Sequence, residues 1–152
     1  MARGVSQDQR IQLLKSMWLF SHCDRKELLK IAALTTQDEA HVGDVIARQG
    51  ERGSECFIVA SGSATIQVGG LDVGTVGPGG FFGEMALLDG GPRSATVTAL
   101  DDMQLLILDR RELNDLLDAA PSVARKMLAV LGQRLREAHD RNPATAEATP
   151  SA

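Results

Sequence analysis

Phe82-Gly83-Glu84-Met85-Ala86-Leu87-Leu88-Asp89-Gly90-Gly91-Pro92-Arg93 (FGEMALLDGGPR) places a turn glycine, a carboxylate, a short apolar run and an arginine in one segment that leads straight into Ser94-Ala95-Thr96. Gly83 lets the backbone approach a ligand closely and take a positive φ if needed. An ionised Glu84 only accepts hydrogen bonds, so it suits a sugar hydroxyl and repels a phosphate. Met85-Ala86-Leu87-Leu88 has the length of one helical turn, whose first N–H groups and positive dipole end favour an anion. Arg93 adds a permanently charged planar fork matched to phosphate oxygens. The segment thus carries the means to hold a small ligand with vicinal hydroxyl character and a single negative charge.

Working outward, Gly50-Glu51-x-Gly53 is followed by Phe57-Ile58-Val59 and Gly62, a strand-turn-strand pattern upstream of the first segment. Together the two stretches resemble the cyclic-nucleotide-binding domain family, shared by cyclic-AMP-dependent kinase regulatory subunits, catabolite activator proteins and cyclic-nucleotide-gated channels. FGEMALLDGGPRSATV is similar to that family's phosphate-binding cassette, F-G-E-[LMI]-[AG]-L, a short spacer, then P-R-[AST]-A-[TS]. Cys56 stands where a larger apolar residue is more usual and Ala47 where a β-branched one often sits, departures that concern packing. The resemblance covers roughly residues 7–140. It implies ligand contacts from Gly83, Glu84, Met85, Ala86, Arg93, Ser94 and Ala95, those of Ala86 and Ala95 through backbone N–H groups.

Between the flanking helices the residue pattern is that of strands. Ala64, Ile66 and Val68 alternate with Thr65 and Gln67, and Ala95, Val97 and Ala99 with Thr96 and Thr98, the period of a strand with one face inward. Twelve of the fifteen glycines fall between Gly50 and Gly91, so tight turns separate several short strands. Strands this short at this turn density suit a β-sandwich or a jelly-roll-like barrel; with the helices on either side the expected fold is α+β, mainly β, a jelly-roll-like β-barrel flanked by N-terminal helices and two C-terminal helices. Ile11, Leu13, Leu14, Met17, Trp18 and Phe20 mark a first short amphipathic helix. Asp24-x-x-Glu27 starts a second with a capping box, and Asp109-x-x-Glu112 repeats the device before Leu113, Leu116 and Leu117. Pro121 suits the first turn of a last, longest helix carrying Val123, Met127, Val130, Leu131, Leu135 and Ala138. The chain divides into N-terminal helices (1–34) packing on the barrel, the barrel (35–109) with its cassette (82–97), C-terminal helices (110–141) and a disordered tail (142–152), NPATAEATPSA.

A chain of 152 residues with 43% hydrophobic and 24% charged residues is that of one ordinary globular domain. The formal charge of −4 argues against a general polyanion binder, so an anion site must be local. Cys23 and Cys56 lack CxxC or metal spacing and are expected as reduced thiols. His22, His41 and His139 show no HxH or HExxH pattern, so no metal and no cofactor are expected. No run reaches the ~18 apolar residues of a membrane span, and the N-terminus lacks a signal-peptide core, so a cytoplasmic protein without a membrane partner is expected.

The resemblance implies a receptor and not an enzyme, with cyclic AMP preferred over cyclic GMP because Ser94 replaces the threonine that favours guanine in some relatives. A micromolar ligand needs ~8 kcal/mol, and charge-assisted hydrogen bonds give ~1.5–3 kcal/mol each, so the base must bury apolar surface as well. In the family the helix after the barrel closes over the base, which makes Leu131, Arg134, Leu135 and Arg136 the candidate lid. Trp18, the single tryptophan of a chain without tyrosine, is far along the chain from that helix, and no aromatic cap is expected. The output is expected through a protein partner on the flanking helices, which suit either a dimer contact or a cover for the barrel. The alternative is a fragment of a catabolite-activator-type transcription regulator or of a larger cyclic-nucleotide-controlled protein; the helix-turn-helix this would need after the long helix is missing, so no nucleic acid is expected as partner. A jelly-roll enzyme lacks its histidine cluster, a nucleophile-base pair and a Walker loop, and a domain that has lost its ligand fits poorly with intact Glu84 and Arg93.

Overall fold

The computed structural model describes residues 4–141. Eight strands form two antiparallel four-stranded sheets. The strands are β1 (Thr36–Ala40), β2 (Val45–Ala47), β3 (Glu55–Ser61), β4 (Ala64–Val68), β5 (Leu71–Val76), β6 (Phe81–Phe82), β7 (Thr96–Ala99) and β8 (Met103–Asp109). One sheet has the order β1-β8-β3-β6, the other β2-β7-β4-β5. They stack as a jelly-roll-like sandwich. The expected barrel is not closed, since no described strand pairs across the two sheets.

Helices α1 (Gln7–Lys15), α2 (Arg25–Ala32), α3 (Glu84–Asp89), α4 (Arg110–Ala119) and α5 (Pro121–Arg141) complete the fold. Two cores result, and β3 and β8 serve both. Phe57 and Val59 of β3 and Met103 and Leu105 of β8 meet Ala47, Ala64, Val97 and Ala99 between the sheets. The alternate residues, Cys56 and Ile58, Leu106 and Leu108, face the helices, packing with Leu14, Phe20, Leu28, Ile31, Leu113 and Val123. The two-residue period of a strand divides each run between the two cores. Both cysteines are free and buried, Cys56 within the helical core.

Local signals held with two amendments. The capping box at α2 is complete: the Asp24 side chain accepts from the Glu27 N–H at 2.8 Å and the Glu27 carboxylate from the Asp24 N–H at 2.9 Å. At α4 only half of the device forms, because Asp109 accepts from the Arg111 N–H at 3.1 Å and also from the Ser54 hydroxyl at 3.3 Å. The first helix stops at Lys15, where the Ser16 hydroxyl turns back to the Leu13 carbonyl at 2.7 Å. Trp18 and Phe20 therefore lie in a separate 3₁₀ turn, Trp18–Phe20. The expected tail 142–152 lies outside the described residues.

Candidate functional site

The cassette begins where β6 ends. Gly83 caps α3 with φ of 84°, and a Cβ there would stand 2.8 Å from the Glu55 carbonyl oxygen and 2.5 Å from Arg93 Nη1. Only glycine turns the chain so sharply and so close to β3. After the six residues of α3, the return to β7 is fastened to the loop before β3. The Arg93 N–H donates to the Glu51 carbonyl at 2.8 Å, and the Gly50 and Gly53 N–H groups donate to the carbonyls of Arg93 (2.9 Å) and Gly91 (3.2 Å). The Gly50–Gly53 loop and the cassette thus form one unit.

Gly83, Glu84, Met85, Ala86, Arg93, Ser94 and Ala95 all line one cavity of about 180 Å³. Ala47, Ile66, Phe81, Phe82, Pro92 and Val97 complete its wall, an apolar floor beneath a polar rim. The half-buried Glu84 carboxylate makes no hydrogen bond or ion pair with any described residue. Arg93 Nη1 donates to the Glu55 carbonyl at 2.7 Å, and its guanidinium stands 5.4 Å from the centroid of the Phe57 ring. Phe57 is itself stacked on Phe82 with centroids 5.1 Å apart. The other Arg93 donors meet no acceptor among the described residues. Burial pulls the Arg93 guanidinium below its ordinary range, opposed by nearby Glu55 and Cys56, and it stays cationic at neutral pH. Burial pushes the Cys56 thiol beneath the site far up, which keeps it protonated.

Leu131, Arg134, Leu135 and Arg136 are not brought to this cavity. They lie on α5, and no α5 residue lines it. Arg134 instead sits 4.2 Å from the centroid of the Trp18 ring, so the tryptophan expected to be remote from the last helix is in contact with it. Below this contact, Glu27 accepts from Lys126 and, at 2.7 Å, from the Ser122 hydroxyl. These bonds root α5 on the N-terminal helices, and Leu128 and Leu135 are left 67% and 62% exposed.

Sequence reasoning did not single out the groups that hold Arg93 in place: the Glu55 carbonyl, the Phe57 ring and the gap at Gly53, where a Cβ would stand 2.2 Å from Arg93 Cζ. Gly53 and Phe57 belong to the upstream pattern, but the contact spans forty residues of chain. Among the described residues no group of three or more potential metal ligands occurs, and no helix is long and apolar enough to cross a membrane.

The family model for the cyclic nucleotide-binding domain matches residues 38–120. The chain is 42% identical over 101 residues to the cyclic AMP receptor protein of Thermus thermophilus, covering 63% of this chain and 47% of that protein. Its structure is similar to the N-terminal domain of a transcriptional regulator from Streptomyces coelicolor, with a TM-score of 0.79, 29% identity, and 85% and 94% of the two chains covered. It is also similar to the regulatory domain of Toxoplasma gondii PKA with cAMP, with a TM-score of 0.68, 31% identity, and 80% and 49% covered. The chain spans less than half the length of the curated relatives it matches.

Proposed function

The chain belongs to the family of cyclic nucleotide-binding domains, and on that premise we propose that it is a receptor module, cytoplasmic and without catalysis of its own, for cyclic AMP in preference to cyclic GMP. The observation that carries the reading is one cavity facing two unspent and opposite charges, the Glu84 carboxylate and the Arg93 guanidinium. The carboxylate accepts from the ribose hydroxyl, and the guanidinium donates to the ring phosphate. The N–H groups of Glu84, Met85 and Ala86, which open α3 and have no acceptor within it, add donors beside Arg93, with Ser94 and the Ala95 N–H opposite.

A cavity of about 180 Å³ is below the ~300–1,000 Å³ of a site that encloses a whole small molecule. It suits the sugar and phosphate and leaves the base to be covered. α5 carries exposed Leu135 beside Arg134 and Arg136, an apolar and cationic set that suits a purine face. Nucleotide binding therefore favours the state in which α5 leaves Trp18 and covers the base, and the shift is limited by the difference in affinity between the two states. The flanking helices carry the response to a protein partner.

Calorimetry with cyclic AMP and cyclic GMP on the wild type, Glu84→Ala and Arg93→Ala tests the assignment. Wild type is expected to bind cyclic AMP more tightly than cyclic GMP, and each variant to lose at least about tenfold, the equivalent of one charge-assisted hydrogen bond. Undiminished affinity in both variants refutes it.

A further inference from the structure

A second cavity of about 850 Å³ shares none of its lining with the first. Arg52 and Ser54 of the loop before β3, Gly90 at the end of α3, and Arg110, Arg111 and Asp115 of α4 form its walls. In a chain of 20 acidic and 16 basic residues, three arginines meet here, and none has a carboxylate within 4.0 Å among the described residues. Among the described residues, Arg52 Nη1 and Arg110 Nε donate only to the carbonyls of Gly90 and Leu88, each at 3.4 Å. That is long for a guanidinium, which bonds a carboxylate at ~2.7–2.9 Å. The Arg111 side chain has no partner among the described residues. Asp109, in the same wall, is already engaged by the Ser54 hydroxyl and the Arg111 N–H.

We propose that this groove docks an acidic segment of a partner polypeptide. Three exposed or half-exposed planar forks without an ion-pair partner among the described residues match spaced carboxylates. Asp109, Asn114 and Asp115 line the same groove, which disfavours the dense charge of a nucleic-acid backbone and suits a peptide carrying N–H groups between its carboxylates. The groove also backs onto the cassette. Arg52 is bridged to Pro92, and both Arg52 and Arg110 lean on carbonyls at the end of α3. A carboxylate that draws those guanidiniums away acts on the loop that carries Arg93. Coupling between groove and nucleotide cavity rests on the nucleotide reading above; docking itself does not.

Fluorescence anisotropy of the full chain with labelled octaglutamate tests docking, with octaglutamine and a short DNA duplex as comparison probes. Octaglutamate is expected to bind saturably and to weaken with added salt, and octaglutamine not to bind. Arg111→Glu, which breaks no side-chain hydrogen bond or ion pair among the described residues, is expected to weaken binding at least tenfold, and Arg52→Gln with Arg110→Gln to do the same. Absence of saturable binding, binding unchanged by Arg111→Glu, or tighter binding of the duplex overturns the proposal. Calorimetry of Arg111→Glu with cyclic AMP keeps the two readings apart. The variant is expected to keep the wild-type affinity for cyclic AMP while losing the peptide; in the wild type, absent nucleotide binding refutes the receptor assignment alone, and absent peptide binding beside intact nucleotide binding refutes the groove alone.

Discussion

Arg93 is aimed by what its neighbours lack. Gly53 and Gly83 leave a slot that a single methyl group would fill, and the Glu55 carbonyl and Phe57 ring close it on the other sides. Gly53→Ala would put its Cβ 2.2 Å from Arg93 Cζ, and the mobile end of the arginine can yield without the backbone following. Stability is therefore expected to change by less than about 1 kcal/mol, while cyclic AMP affinity falls ~10- to 100-fold with the phosphate contacts. A thermal melt and a calorimetric titration on one preparation check both halves; full affinity in Gly53→Ala would show that the slot does not aim the guanidinium. Gly83→Ala differs, because its φ of 84° and the Glu55 carbonyl at 2.8 Å involve backbone, so its melt should fall as well, by more than ~1 kcal/mol. Glu84 and Arg93 were legible in the sequence because they stand within one short motif of fixed spacing. The slot was not, since it is made by residues that meet only after β3 and the cassette pair.

At the scale of elements, α5 packs Val123 and Met127 into the helical core and is tied to the N-terminal helices by polar contacts at Glu27 and at Trp18. The buried Glu27 carboxylate closes the capping box of α2 and accepts from Lys126 and Ser122 on the first turns of α5. Burial alone would raise this carboxyl, but the hydrogen bonds from Lys126, the Asp24 N–H and Ser122 outweigh it and hold the group at about 2, against 4.5 ordinarily. A lowered folded-state value means stability that is complete above about 4.5 and is lost as the pH falls towards 2. Glu27→Gln is expected to cost about 2 kcal/mol in urea melts at neutral pH, with the difference from wild type closing as the pH is lowered through that window. A constant difference would show that the charge is not the anchor. The second contact, Arg134 on Trp18, is optically addressable because Trp18 is the single tryptophan. Saturating cyclic AMP should shift its emission as α5 departs, and Arg134→Ala should show most of that shift without ligand; an unchanged spectrum on saturation counts against movement of α5. The sequence revealed Glu27 as a cap, a local role. Its second role, and the approach of Trp18 to α5, depend on how the helices pack and have no local signature.

In the whole molecule, β3 and β8 stand between two cores, which explains both the success and the limit of pattern reading. β4 and β7 alternate visibly between apolar and polar residues. The apolar runs of β3 and β8 show no such alternation because both of their faces are covered, so the sequence marks them as strands without saying that one face carries the helices. The same architecture sets what ligand binding should do to stability. β3 supplies the Glu55 carbonyl and Phe57 ring behind Arg93 and also Cys56 and Ile58 to the helical core, so a ligand held by the cassette braces a strand on which both cores depend. Binding to the folded chain alone adds about 2.7 kcal/mol at a ligand concentration 100 times Kd. With ~2–4 °C per kcal/mol for a chain of this size, cyclic AMP should raise the melting temperature by about 5–10 °C in one cooperative transition. Arg93→Ala at the same nucleotide concentration should show a much smaller rise. A second transition that cyclic AMP leaves unmoved would mean that the helical core melts independently of the sandwich and that β3 does not couple them.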